Sequence, residues 1–352
     1  MAQLKTILIM AGGTGGHVFP ALAVANFLQK QGVTVHWLGT AAGLEARLVP
    51  QAGFSLHTIA VKGLRGKGMK RLLAAPFQMV RATLQARAIL KTVKPDVVIG
   101  FGGFASGPGG LASWLARVPL IIHEQNAIAG LTNKLLAPLA KYVCEGFAGA
   151  FKPAPKVIAT GNPVRPDILN AQWIGRKHLL VLGGSLGAAA LNKLVPEALA
   201  LWPENSRPEV LHQTGEKHLT SARAAYAAAG VQATIVPFIE NMAEAYANAA
   251  LVLCRAGAST IAELCAVGVG AVLVPYPHAV DDHQTANANW LASAGAAVVL
   301  QESGLTSAAL LVILRDLIES DTACRNMATA AFKLRKEGVA EQIFNLCEES
   351  CR

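Results

Sequence analysis

Short apolar runs alternate with longer amphipathic stretches almost from the first residue. Runs at 6–10, 33–38, 55–61, 96–100, 120–123, 142–144 and 157–159 have the length of strands, and the second half repeats the rhythm at 178–182, 209–212, 234–237, 251–254, 271–275 and 297–300. Many of them are apolar at nearly every position rather than at every second one, as in strands covered on both faces. The intervening segments read as helices, most plainly 70–91 and much of 307–352. The alternation predicts an α/β protein with parallel sheets and helices on both sides.

The same opening occurs twice. Met10-Ala-Gly-Gly-Thr-Gly-Gly-His-Val-Phe-Pro20 follows the first apolar run, and Leu179-Leu-Val-Leu-Gly-Gly-Ser-Leu-Gly-Ala-Ala-Ala-Leu-Asn192 starts the second half. Each reads as strand, glycine loop, helix, an arrangement that brings backbone amides and a helix N-terminus up to a phosphate. A chain of 352 residues has room for two such domains. We expect them at 1–165 and 166–352, divided at Gly161-Asn-Pro-Val-Arg-Pro166, with the final helix returning to the first domain.

Composition narrows the class. Hydrophobic residues make up 53% and charged ones 15%, in keeping with buried sheets. The longest uncharged run, 97–116, would span a bilayer by length, but it holds six glycines and Pro108 and reads as strand plus glycine loop. The chain enters its first strand without the basic, apolar and small-residue regions of a secretory leader, so none is expected. Six cysteines without zinc-like pairing are expected to be reduced thiols of a cytosolic protein. Charge is uneven: residues 1–165 carry 18 Lys/Arg against 4 Asp/Glu, and residues 166–352 carry 13 against 18. The cationic half calls for an anionic partner. Lys62, Arg65, Lys67, Lys70 and Arg71 crowd together, followed by Leu72, Leu73, Phe77, Met79 and Val80. That pairing fits docking on an anionic membrane surface, with about half of those apolar side chains expected to pack on the sheet. A nucleic-acid partner is not expected, since there is no recognition motif and aromatics are only 6%.

The chemistry is concentrated in the loops. Neither main glycine loop fits the dinucleotide fingerprint, because positions 18 and 188 are Val and Ala, and no Walker lysine motif occurs. A dehydrogenase or P-loop ATPase is therefore poorly supported. Cys254-Arg-Ala-Gly-Ala-Ser-Thr-Ile-Ala-Glu-Leu264 reads as a strand end opening a helix. Its first amides would favour a diphosphate, and Glu263 would accept two hydrogen bonds from a ribose diol. His278-Ala-Val-Asp-Asp-His-Gln284 lacks the spacing of a metal cage and reads as a sugar-facing loop; no metal is expected. His17, beside the first glycine loop, is a candidate general base.

Taken together the motifs resemble the MurG family, the bacterial N-acetylglucosamine transferases of peptidoglycan synthesis. The matching pieces are Ala11-Gly-Gly-Thr-Gly-Gly-His-Val-Phe-Pro20, Gly63-Leu-Arg-Gly-Lys-Gly68, Gly107-Pro-Gly-Gly110, His123-Glu-Gln-Asn126, Gly130-Leu-Thr-Asn-Lys134, Gly161-Asn-Pro-Val-Arg165, Gly183-Gly-Ser185 and the stretch from Arg255 to Glu263. The resemblance implies a GT-B enzyme: two Rossmann-like domains with parallel sheets facing across a cleft, the lipid-linked acceptor and the membrane on the N-terminal side, the donor on the C-terminal side. It implies inverting transfer from UDP-GlcNAc to the muramyl 4-hydroxyl of undecaprenyl-pyrophosphoryl-MurNAc-pentapeptide (lipid I), giving lipid II. Implied substrate contacts are Thr14, Gly15, Gly16, Asn126, Arg165, Ser185, Ile239, Ala258, Ser259, Thr260, Ile261, Ala262, Glu263 and Gln284, with a main-chain group at Ile239 reading the uracil. It further implies a peripheral enzyme on the cytoplasmic face of the inner membrane, with roles in cell shape and division, contacts with cell-wall and division proteins, and no dissociable cofactor. The chain departs from the familiar pattern at Leu186, at Ala256 and in the spacing of Asp281 to Gln284. The alternatives are another GT-B transferase with a lipid acceptor and a UDP-GlcNAc epimerase.

Overall fold

The structure, a computed structural model, describes residues 4–61, 69–175, 178–184 and 187–351. The chain forms two compact units, one of Met1–Pro163 with Gly338–Arg352 and the other of Val164–Glu337. In the first, seven strands form one parallel sheet: β1 (Thr6–Ala11), β2 (Thr34–Gly39), β3 (Ser55–Thr58), β4 (Val97–Gly102), β5 (Leu120–Glu124), β6 (Tyr142–Glu145) and β7 (Val157–Ile158). Their order across the sheet is β3-β2-β1-β4-β5-β6-β7. In the second unit six strands do the same: β8 (His178–Leu182), β9 (Glu209–Gln213), β10 (Thr234–Val236), β11 (Leu251–Cys254), β12 (Ala271–Leu273) and β13 (Ala297–Val299). Their order is β10-β9-β8-β11-β12-β13. Both sheets run outward from their first strand in one direction and then resume on its other side. This is the doubly wound pattern, whose crevice for ligands opens at the carboxyl ends of the two strands flanking the reversal.

The continuous apolar runs have the predicted cause. In β1 the side chains of Ile7, Ile9 and Ala11 enter one core layer with Val18, Val24 and Leu28 of the helix Gly15–Lys30. Leu8 and Met10 enter the opposite layer with Ala82, Ala86 and Leu90 of the helix Met69–Val93. A strand sandwiched this way has no polar face. The helix Val339–Ser350 completes the first layer with Ile343, Leu346 and Cys347.

Strand positions agree with the sequence pattern, and differences lie at the ends. β4 runs on into Gly102, since Phe101 is fully buried and continues the apolar run. The first helix begins at Gly15, well before the apolar stretch at 21 that announced it, so the glycine loop itself supplies the first helical turn. The segment 97–116 divides into β4 and the helix Ser106–Leu115, and among the described residues no helix is long and apolar enough to cross a membrane. The cysteines are all free thiols.

Candidate active site

In the N-terminal unit the reversal lies between β1 and β4, and a glycine loop leaves each. Gly13 has φ +90°, Gly102 φ +100° and Gly103 φ +86°, conformations that only glycine adopts without strain. The two loops touch backbone to backbone: a Cβ on Gly103 would lie 2.3 Å from the Gly12 carbonyl oxygen. The His17 ring lies against Gly102, where a Cβ would come within 2.8 Å of Cδ2 and 2.9 Å of Nε2. Its Nδ1 is 3.4 Å from Thr14 Oγ1. In the tautomer whose Nδ1–H donates to Thr14 Oγ1, Nε2 is the accepting nitrogen.

Beneath this loop lies Glu45, fully buried. It accepts from Gly13 N at 2.9 Å, Thr40 N at 2.9 Å and Thr40 Oγ1 at 2.7 Å. A second buried carboxylate, Glu124 at the end of β5, organises the neighbouring loop. It accepts from Asn126 N at 3.0 Å, Asn126 Nδ2 at 3.1 Å, Gly130 N at 3.0 Å and Asn133 Nδ2 at 2.9 Å. Four donors occupy the accepting capacity of one carboxylate, so Glu124 fixes Asn126 rather than serving as a base. His123 before it is buried against Phe101, and its ring nitrogens lie 2.9 Å from Gly161 O and 3.1 Å from Gln125 Nε2. Burial drives its pKa down to about 4, against a smaller opposing pull from the Gly161 carbonyl and Glu124, so the ring is neutral near pH 7.

In the C-terminal unit the reversal lies between β8 and β11. The loop after β8 is braced from β9: Gly183 N donates to Gln213 O at 2.8 Å and Gly184 N to Gln213 Oε1 at 3.2 Å. After β11 the helix Ala258–Val267 begins with no side-chain cap on its N-terminus, so the first amides are available to an anion. Ser259 Oγ is buried there without a partner among the described residues. Glu263, one turn on, accepts from Tyr246 Oη at 2.9 Å. Burial raises the Glu263 pKa, while the Tyr246 hydrogen bond and the nearby Arg165 oppose the rise. Arg165 is itself half exposed, with Asp167 3.9 Å away. Arg255 ties the ends of the neighbouring strands together, donating to Val274 O at 3.1 Å and Pro275 O at 3.2 Å and pairing with Glu302.

The sequence-predicted residues thus divide between the two units. Thr14, Gly15, Gly16, His17 and Asn126 belong to the N-terminal unit. Arg165, Ala258, Ser259, Thr260, Ile261, Ala262 and Glu263 belong to the C-terminal one, where Ile261 points into the core and is fully buried. Ile239 is also buried, beside the exposed Phe238. Gln284 is committed through its oxygen, which accepts Tyr276 N at 2.9 Å, leaving its amide group as donor. Ser185 lies outside the described residues, as do Lys62, Arg65 and Lys67, and Lys70 and Arg71 are described in backbone only. No group of three or more His, Cys, Asp or Glu among the described residues is placed to hold a metal. Near 278–284, Asp281 and Asp282 take left-handed backbone angles and Asp282 accepts from Thr285 Oγ1 at 2.7 Å, which makes this a turn.

Sequence reasoning passed over Glu45, Gln213 and Tyr246. One signal pointed to the first: residues 1–165 hold only four acids, and each one binds backbone. Glu45 and Glu124 hold the loops above, Asp96 accepts from Lys5 N and Thr6 N at 2.8 Å, and Glu145 accepts from Gly149 N at 3.2 Å and Phe151 N at 2.6 Å.

Comparison with known proteins agrees with this geometry. The family models described as glycosyltransferase family 28 N-terminal domain and C-terminal domain match residues 7–144 and 178–343. The chain is 52% identical over 353 residues to the UDP-N-acetylglucosamine–N-acetylmuramyl-(pentapeptide) pyrophosphoryl-undecaprenol N-acetylglucosamine transferase of Pseudomonas entomophila, covering 99% of this chain and 98% of that one. It is likewise 52% identical to the protein of the same name from Azotobacter vinelandii, covering 98% of this chain and 99% of that one. Among solved structures, Acinetobacter baumannii MurG superposes with a TM-score of 0.84 at 42% identity, covering 98% of this chain and 99% of that one. The kitacinnamycin glycotransferase, at 15% identity and a TM-score of 0.76, shares the fold.

Proposed function

The chain belongs to glycosyltransferase family 28, and from that premise we propose that it is the inverting GT-B transferase that moves N-acetylglucosamine from UDP-GlcNAc to the muramyl 4-hydroxyl of lipid I, forming lipid II. The observation that carries the reading is the 52% identity to that transferase of Pseudomonas entomophila over 99% of the chain. The acceptor hydroxyl attacks the anomeric carbon as UDP departs. His17 takes the hydroxyl proton; it is half buried at the glycine loop, whereas Glu45 and Glu124 are engaged by amide donors. The N-terminal amides of the helix Ala258–Val267, with Arg165 and Ser185, stabilise the charge that grows on the diphosphate. Glu263, steadied by Tyr246, receives the ribose diol. The main chain at Ile239 reads the uracil, and Gln284 donates to the sugar.

The N-terminal unit is also the membrane-facing one. Phe77, Val80 and Leu84 are 75%, 59% and 60% exposed. At spacings of three and four residues they share one face of the helix Met69–Val93. Met79 is exposed as well, the side chains of Leu72 and Leu73 lie outside the described residues, and Ala82, Ala86 and Leu90 pack on the sheet further along. Exposed Trp114, Leu115, Leu131 and Leu135 lie on the helices Ser106–Leu115 and Leu131–Leu136. Residues 1–165 carry 18 Lys/Arg against four acids, all of which accept from backbone N–H groups, so this stretch is cationic, and the helix Val339–Ser350 adds Glu341, Glu348 and Glu349 to the unit. Apolar side chains among cations fit an anionic leaflet, which supports reading the enzyme as peripheral, on the cytoplasmic face of the membrane carrying lipid I.

Acceptor dependence tests the reading. UDP should be released from UDP-GlcNAc only when lipid I is supplied. Equal release without it would mark a hydrolysing enzyme such as an epimerase.

A further inference from the structure

The buried Glu45 has no part in the chemistry above, yet the chain is built around it. It is the first residue of the helix Glu45–Gln51, and its carboxylate reaches back under the loop after β1. Three glycines make room for it: a Cβ on Gly12, Gly39 or Gly43 would come within 2.4, 2.6 or 2.0 Å of its side chain. No ion pair among the described residues includes it. Its partners are the Gly13 amide, the Thr40 amide and the Thr40 hydroxyl.

The Gly13 bond has a geometric consequence. In a trans peptide the N–H of one residue and the C=O of the residue before it point in opposite directions. With Gly13 N–H held by Glu45, the Gly12 carbonyl must face the other way, toward Gly103, where it is found. The Gly12–Gly13 peptide is therefore clamped between a carboxylate and the loop after β4. The next residues are Thr14, whose carbonyl accepts from His17 N at 3.2 Å, and His17 itself, lying on Gly102.

We propose that Glu45 is a positioning residue for the transfer, locking the Gly12–Gly13 peptide so that Thr14 and His17 stand where the acceptor hydroxyl gives up its proton. This rests on the assignment of His17 as base. Glu45→Gln keeps the size of the side chain but loses one of its two accepting oxygens, so Gly13 N–H and the Thr40 donors can no longer both be satisfied. Small misplacements of a catalytic group cost up to about a hundredfold in rate.

The test measures turnover with UDP-GlcNAc and lipid I in the full chain for Glu45→Gln, Thr40→Val, His17→Ala and the Glu45→Gln/His17→Ala double variant. Glu45→Gln should slow turnover about ten- to a hundredfold. Thr40→Val, which removes one donor without touching Gly13, should stay within about threefold of wild type. The double variant should be no slower than His17→Ala alone, because groups acting as a unit are not additive. In the wild-type protein the Gly13 amide should resist hydrogen exchange, a readout that does not depend on any variant folding. A folded Glu45→Gln of wild-type rate, an additive double variant, or a freely exchanging Gly13 amide would each overturn the proposal. A His17→Ala of wild-type rate would instead remove the assignment of the base.

Discussion

Burial raises the Glu263 carboxyl above its ordinary pKa, and the Tyr246 hydroxyl and Arg165 pull it back. The ribose diol proposed to bind here would add hydrogen bonds to it, and each hydrogen bond to a charged group contributes roughly 1.5–3 kcal/mol. Glu263→Ala should therefore weaken UDP binding about ten- to a hundredfold in a folded protein. Calorimetric titration checks this, and unchanged affinity would remove Glu263 from the donor site. A second consequence concerns pH. His123 and His212 are buried, and burial lowers both to about 4. The unfolded chain binds protons at these positions near 6.5, before the folded one does. Above 6.5 neither contributes to the pH dependence. As pH falls toward 4 each costs up to roughly 3 kcal/mol of stability. Urea midpoints should accordingly drop between those values; a flat profile would mean the rings take up protons in the fold. The placement of Thr14, His17 and Glu263 beside a glycine loop or helix start was legible in the sequence, because each sits at a fixed offset from one. Glu45 and Tyr246 were not, since they reach Gly13 and Glu263 across 32 and 17 residues.

The helix Met69–Val93 has one face committed to the core and another bearing Phe77, Val80 and Leu84. Cations near an anionic leaflet contribute about 1 kcal/mol each. Binding to phosphatidylglycerol-containing vesicles should exceed binding to neutral ones and fall as salt rises. Reversing Lys67, Lys70 and Arg71 to Glu should weaken it, and so should Phe77→Ser with Leu84→Ser, while UDP affinity stays unchanged. Equal cosedimentation with neutral and anionic vesicles, insensitive to either set, would contradict the docking face. Strand positions were legible because a doubly covered strand is apolar at every residue. The face this helix turns outward was less so: its period announces an amphipathic helix, but Phe77 looks like a core residue until the smaller Ala82 and Ala86 are seen to take the core side.

Across the whole chain, 18 bases against 4 acids in residues 1–165 and 13 against 18 in residues 166–352 divide the work by charge. In the proposed function the cationic part takes the anionic lipid acceptor, and the other part, with the uncapped helix and Glu263, takes the nucleotide donor. The first six strands of each unit follow the same order, with β7 added at the edge of the first sheet, and the repeated strand-loop-helix opening made that likeness legible. The helix start inside the first glycine loop was harder to read, because glycine disfavours helix by propensity, and packing of this helix against β1, β2 and β4 and the helix Val339–Ser350 overrides it. A transfer that inverts the anomeric carbon is recorded in the bond it forms. The protein would be supplied with UDP-GlcNAc labelled at the anomeric carbon and with lipid I, and the isolated product examined by NMR. A β-linkage from the labelled carbon to the muramyl 4-hydroxyl is expected; an α-linkage, or label found only in free sugar, would rule out inverting transfer.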